Sequence, residues 1–171
     1  MKVGILELLT SGLATSWKQE IEHYSTTKQY ASLMPQAIAV WCRQLGHEVC
    51  YTTHYGHGDP KKLLPNDLDV VFISGITISS ATSYALAKLY RREHTLTVIG
   101  GPHAKAFPDD CLRYFDLVVL ECDKQLIADI LSGAYDPGFI ISSGRALTGI
   151  PSVAERMPEI KKASFFRGSR Y

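Results

Sequence analysis

Three stretches of the sequence combine small and hydroxyl-bearing residues in a way that suits ligand contact. Ser74-Gly75-Ile76-Thr77 directly follows an apolar run. It is a small-residue turn where backbone can approach a ligand closely. Gly100-Gly101-Pro102-His103 follows another such run, and the paired glycines remove both Cβ atoms, so a ligand can lie close to backbone. The third stretch is the connection from Leu9 to Ser32, roughly 24 residues, where links in compact α/β units commonly span about 2–6. It carries Gly12, Leu13, Trp17 and Tyr24, and loops of that size inside a compact domain are usually functional.

Other chemistry-bearing residues have two readings each. His54-x-x-His57-x-Asp59 supplies a plausible count of metal ligands. It sits in a Gly-rich turn remote from the three stretches above, and reads better as a solvated loop. His103 is either a turn residue or a ligand contact. Glu121 either touches the ligand or merely terminates a strand. The four cysteines, Cys42, Cys50, Cys111 and Cys122, show no C-x-x-C spacing and are expected to be reduced. Cys42 and Cys50 fall in apolar segments and look like small core residues. No cluster of three cysteines is present to hold an iron–sulfur centre.

These residues are positioned by a pattern that alternates strand and helix five times. Residues 2–8 form a short apolar run at the amino terminus. A helix is predicted from about Leu33, with Met34, Ile38, Trp41 and Leu45 at helical spacing, Pro35 in its first turn and Gly46 at its end. Residues 47–53 read as the second strand, 69–74 as the third, 96–99 as the fourth and 117–120 as the fifth. The third is continuously apolar, as in a sheet covered on both faces. Between them, Ser79 or Ser80 can cap a helix carrying Tyr84, Ala85 and Leu89 toward the core. Pro108-Asp109-Asp110 opens a short helix. Asp123 caps a last helix with Leu126, Ile127, Ile130 and Leu131, stopping at Gly133.

Repeated β-α units with short connections force parallel strands and right-handed crossovers. The predicted fold is therefore α/β, a doubly wound five-stranded parallel sheet of order 2-1-3-4-5, Rossmann-like or flavodoxin-like. Residues 1–150 make up this domain. Residues 151–171 lack clear periodicity and read as a linker, or as an arm lying on another domain. In such a sheet a ligand sits beyond the carboxyl ends of the strands at the switch point, where the three stretches converge.

At 171 residues the chain suits one domain with a core that needs no staple. A net charge of +1 predicts neither a nucleic-acid nor an acidic partner. No apolar run approaches the roughly 20 residues of a membrane span, and the start lacks a signal-peptide pattern, so a cytoplasmic protein is expected.

The stretch from Asp69 to Glu121 resembles the cobalamin-binding domain found amino-terminal in many radical S-adenosylmethionine enzymes. The motifs that carry this are Asp-Val-Val-Phe-Ile-Ser at 69–74, Val-Ile-Gly-Gly-Pro-His at 98–103 and Asp-Leu-Val-Val-Leu-Glu at 116–121. Leu-Gly-His-Glu-Val at 45–49 fits the same family's helix-to-strand junction, and the likeness spans roughly residues 1–145. Within the wider family, Ser74-Gly75-Ile76 matches the S-x-L turn and Gly100-Gly101 the G-G pair. The D-x-H-x-x-G loop is missing, as it is in the radical-enzyme branch, and Leu120-Glu121-Cys122 stands where a Gly-Glu is usual.

The resemblance implies cobalamin as cofactor, without a protein histidine on cobalt and without an iron–sulfur cluster in this chain. It implies contacts from Gly12, Leu13, Ser74, Gly75, Ile76 and Thr77, and from Gly100, Gly101, Pro102, His103 and Glu121. Leu13, Trp17 and Tyr24 would cover the corrin's lower face. The domain itself would not be catalytic. It would carry a methyl-transferring cofactor for a radical S-adenosylmethionine domain, downstream or on a separate chain, with no nucleic-acid or membrane partner.

A flavin-binding, flavodoxin-like module is the alternative, with Thr10-Ser11-Gly12 and Thr15-Ser16 as its phosphate loop. A degenerate interaction domain is the other. A phospho-receiver is disfavoured, because Ser74 stands where it needs aspartate and Glu121 where it needs lysine.

Overall fold

The apolar runs pair into one parallel sheet in the computed structural model of the chain, which describes residues 1–9, 32–56 and 58–163. The strands are β1 (Lys2–Leu8), β2 (Glu48–His54), β3 (Val70–Gly75), β4 (Leu96–Gly100), β5 (Leu117–Val119) and β6 (Phe139–Ile141). Their order is β2-β1-β3-β4-β5-β6, and each neighbouring pair is parallel. The expected order is present, but six strands replace the predicted five. β6 extends the sheet on the β5 side, with Val119 opposite Ile141.

The helices are α1 (Leu33–Gln44), α2 (Ser80–Arg92), α3 (Pro102–Ala106), α4 (Pro108–Leu112), α5 (Lys124–Leu131) and α6 (Val153–Ala163). They cover both faces, because alternate strand residues point to opposite sides. Val3, Ile5, Phe72, Val98 and Val119 share one core with Trp41 of α1 and Leu126 and Ile130 of α5. Leu6, Val71, Ile73, Ile99 and Val118 share the other with Leu86 and Tyr90 of α2, Ala104 of α3 and Cys111 of α4. Each fully buried large side chain contributes about 1.5–3 kcal/mol by leaving water.

Two local expectations are corrected. Helix α2 buries Ser83, Leu86, Ala87 and Tyr90, whereas Ala85 and Leu89 are exposed and Tyr84 only half-buried. Small residues at 83 and 87 let the helix approach the sheet closely, and this outweighs the larger side chains one position on. Ser79 flanks this helix, but its hydroxyl donates to the Ile76 carbonyl and accepts from the Ile76 N–H instead of capping.

Of residues 151–171, expected as a linker or an arm on another domain, Val153–Ala163 form α6, which packs on α1 and β2; residues 164–171 lie outside the described residues. Glu159, 1% exposed, pairs with the Arg43 guanidinium through both carboxylate oxygens. Arg156 donates to the Gln36 side chain at 2.7 Å. Ser152 and Glu155 close the start of the helix reciprocally, each accepting a backbone N–H from the other.

Candidate functional site

At the carboxyl edge of the sheet, β1, β3 and β4 end in a row of register partners. Glu7 stands opposite Ser74, and Ser74 opposite Gly100. All three lie on the face toward α1 and α5, two residues beyond Ile5, Phe72 and Val98. Beneath this row a cavity of about 360 Å³ runs between sheet and helices. Its floor is Ile5, Phe72, Val98 and Val119; its walls are Met34, Pro35 and Ile38 of α1, Cys122 and Ile127 beside and within α5, and Ala146 and Leu147. This volume falls at the lower end of those found for small-molecule sites.

Among the described residues the charged lining side chains are Lys105, Glu121 and Arg145, each more than half exposed. Lys105 Nζ lies 3.3 Å from Glu121 Oε1. Arg145 grips Asp123 with two nitrogens, at 2.6 and 3.0 Å. Asp123 also accepts from Leu126 N–H at 2.8 Å, which caps α5. The Arg145 guanidinium therefore holds the Asp123 carboxyl below its ordinary range. Burial pushes the Cys122 thiol up to about 11.

The row is braced on the α1 side by Glu7, which is 1% exposed. Its carboxylate accepts the Ser32 backbone N–H at 2.8 and 3.1 Å, directly before α1. The contact ties the tip of β1 to the start of the helix that carries Met34 and Ile38. Sequence reasoning gave Glu7 no role beyond a strand position.

The predicted site residues divide. Ser74, Gly100, Gly101 and Glu121 line the cavity. Gly75 does not: it lies on the opposite face, where a Cβ would come within 2.9 Å of Ser83 Oγ. Ile76 and Thr77 turn away from the cavity into a 3₁₀ turn leading to α2, with Thr77 exposed. Gly12 and Leu13, with Trp17 and Tyr24, lie outside the described residues.

The two glycines at the end of β4 and just beyond it also differ. At Gly100 a Cβ would, among the described residues, meet only the Val119 carbonyl oxygen, at 3.7 Å. Gly101 has φ +100° and would bring a Cβ to 3.2 Å from Gly75 O and Ser74 Oγ. Gly100 thus leaves space in the cavity, whereas Gly101 makes a turn that L side chains rarely adopt.

That turn carries Pro102 and His103 past the edge. His103 is buried against the other core, 4% exposed, with Nε2 2.7 Å from the Tyr84 hydroxyl. It is absent from the cavity lining, and the contact that it makes is with Tyr84. His54, read from sequence as part of a solvated loop, is also buried, with Nε2 3.2 Å from the Gly58 carbonyl oxygen. Asp59 caps a 3₁₀ turn by accepting from Lys61 N–H, and His57 lies outside the described residues. Among the described residues no group of three or more His, Cys, Asp or Glu side chains could hold a metal ion.

Several lining residues were not foreseen. Met34 and Ile38 stand at helical spacing, which does not distinguish a filled core from a cavity wall. Lys105, Arg145, Ala146 and Leu147 follow no periodic pattern at all. Among the described residues no helix is long and apolar enough to cross a membrane.

Comparison of the chain with protein-family models, curated proteins and solved structures finds no match.

Proposed function

We propose that this is a cobalamin-binding domain, which takes the nucleotide tail of the corrinoid into the cavity beneath Ser74 and Gly100. One observation carries the reading. A Ser–Gly register pair at the tips of β3 and β4 opens onto an apolar slot between the sheet, α1 and α5, at the place where doubly wound sheets bind ligands.

The residues fit such a group. A flat heteroaromatic base suits a slot walled by Met34, Ile38, Phe72 and Ile127. The half-buried Ser74 hydroxyl offers a donor and acceptor to its polar atoms, and Gly100 leaves the wall open where any side chain would intrude. The corrin ring is too large for this volume and stays outside, beyond the strand ends. When bound, the cofactor supplies a cobalt centre that carries a methyl group. The chain's own residues bind and orient it.

The proposed partner is a radical S-adenosylmethionine domain, downstream or on a separate chain, and this part follows from the motif resemblance alone. Cys42 and Cys122 pack on one side of the sheet, and Cys50 and Cys111 on the other. They do not meet to hold an iron–sulfur cluster, so that chemistry falls to the partner.

The test is to incubate purified protein with hydroxocobalamin, desalt it and record the visible spectrum. Retained corrinoid absorbance is expected. A colourless protein under these conditions contradicts the proposal. Yellow protein after the same procedure with flavin mononucleotide, in place of corrinoid retention, would assign the site to flavin.

A further inference from the structure

We infer that Lys105 is the anchor for an anionic group of the ligand, and that Glu121 is the internal carboxylate that competes for it. This rests on the cavity being the ligand site proposed above, and names the chemistry it selects: a flat apolar base with a phosphate close by.

Among the described residues the lining offers two cations, Lys105 and Arg145, and they differ in freedom. Arg145 is committed. Its Nε and Nη2 both hold Asp123, whose side chain is only 13% exposed and also caps α5. Releasing Arg145 would strand a largely buried carboxylate, which is costly. Lys105 makes one ion-pair contact, 3.3 Å from Glu121, with side chains 54% and 57% exposed. Exposed single-contact pairs of this kind are weak, and an ammonium on a flexible stem exchanges partners readily.

Lys105 also stands on α3, which begins directly after the Gly100-Gly101 turn. It is therefore carried by the same backbone that leaves the cavity open at Gly100. An apolar base seated over Phe72 and Val98 would place its polar attachments at the strand tips; of the lining cations among the described residues, Lys105 is the one not committed to a largely buried partner. Glu121 sets the balance: its carboxylate holds Lys105 at the mouth and disfavours anions that bring no apolar group to bury.

Base and phosphate occur together in the tail of cobalamin and in flavin mononucleotide, so the test separates the two. Hydroxocobalamin and dicyanocobinamide, a corrinoid without the nucleotide tail or its phosphate, are titrated against wild type, Lys105→Ala and Glu121→Gln. Lys105→Ala is expected to weaken hydroxocobalamin by about tenfold and to leave cobinamide unchanged. Glu121→Gln is expected to tighten hydroxocobalamin a few-fold.

Equal hydroxocobalamin affinity in wild type and Lys105→Ala overturns the inference while leaving the cobalamin reading in place. So does an equal loss for both corrinoids. If wild type retains no corrinoid, the cobalamin reading fails, and the same variants are titrated with flavin mononucleotide. A loss confined to Lys105→Ala then supports the anchor, and equal or absent binding overturns it.

Discussion

The Tyr84 hydroxyl stands between two partners on the face opposite the cavity, 2.7 Å from His103 Nε2 and 2.6 Å from Asp110 Oδ2. A carboxylate only accepts, so the hydroxyl donates to Asp110 and His103 must donate from Nε2. His103 Nδ1 is buried with no hydrogen-bond partner among the described residues. Burial first, and then the hydrogen bond to Asp110, push the Tyr84 hydroxyl well above the usual tyrosine range, so it stays protonated through the neutral and mildly alkaline range. This chain of contacts links α2, α3 and α4, and holds the segment that leaves the sheet at Gly101.

Tyr84→Phe should therefore destabilise the domain by about 1–3 kcal/mol, the usual cost of leaving a buried polar group unsatisfied. Asp110, nearly half exposed, finds water, but His103 does not. Urea denaturation monitored by circular dichroism checks this; an unchanged midpoint would show that the network adds nothing.

The Arg43–Glu159 pair that docks α6 is asymmetric, with side chains 35% and 2% exposed. Arg43→Ala abandons a carboxylate in the interior and should cost about 3–5 kcal/mol. Glu159→Gln leaves the guanidinium with access to water and should cost clearly less. Equal losses in matched denaturation curves would contradict the assignment of Glu159 as the buried member.

Gly101→Ala should lower stability by about 1–3 kcal/mol, because φ +100° is strained for any side chain and a Cβ would crowd Gly75 and Ser74. A thermal midpoint equal to wild type would mean that the turn relaxes without cost.

Cys122 provides a pH test. Its folded-state value of about 11 lies above the ordinary 9.0 because burial disfavours the thiolate. The neutral thiol thus contributes stability that is complete below about pH 9 and is lost as pH rises through 11. At pH 8 only about one thiol in a thousand is ionised, so alkylation by iodoacetamide should be slow and accelerate steeply up to pH 11. Hydroxocobalamin should protect Cys122, which lines the cavity. Rapid labelling at pH 8, followed by peptide mass spectrometry, would contradict this.

Much of this architecture was legible because the central strands are continuous apolar runs and the helices between them carry clear caps, Asp123 among them. β6 escaped notice because Phe139-Ile140-Ile141 is only three residues long and follows Pro137-Gly138. α6 escaped because it contains Pro158 and is held by charge, through Glu159 and Arg156, instead of an apolar stripe. At the site, Ser74, Gly100 and Glu121 could be read from their places at strand ends. His103 could not be placed, since the positive φ of Gly101 sends the following residues to the other side of the sheet. The wall at Arg145–Leu147 comes from a segment without periodicity, and only tertiary packing brings it to the cavity.

The central claim is that the space left by the absent side chain at position 100 seats the ligand's tail. It is tested most directly by comparing hydroxocobalamin retention in wild type and Gly100→Leu. Among the described residues a Cβ there meets nothing closer than 3.7 Å; a denaturation curve checks that the variant folds, and folded Gly100→Leu should lose corrinoid binding because its side chain occupies the space proposed for the tail. Undiminished binding by a folded Gly100→Leu would show that the corrinoid does not use this cavity.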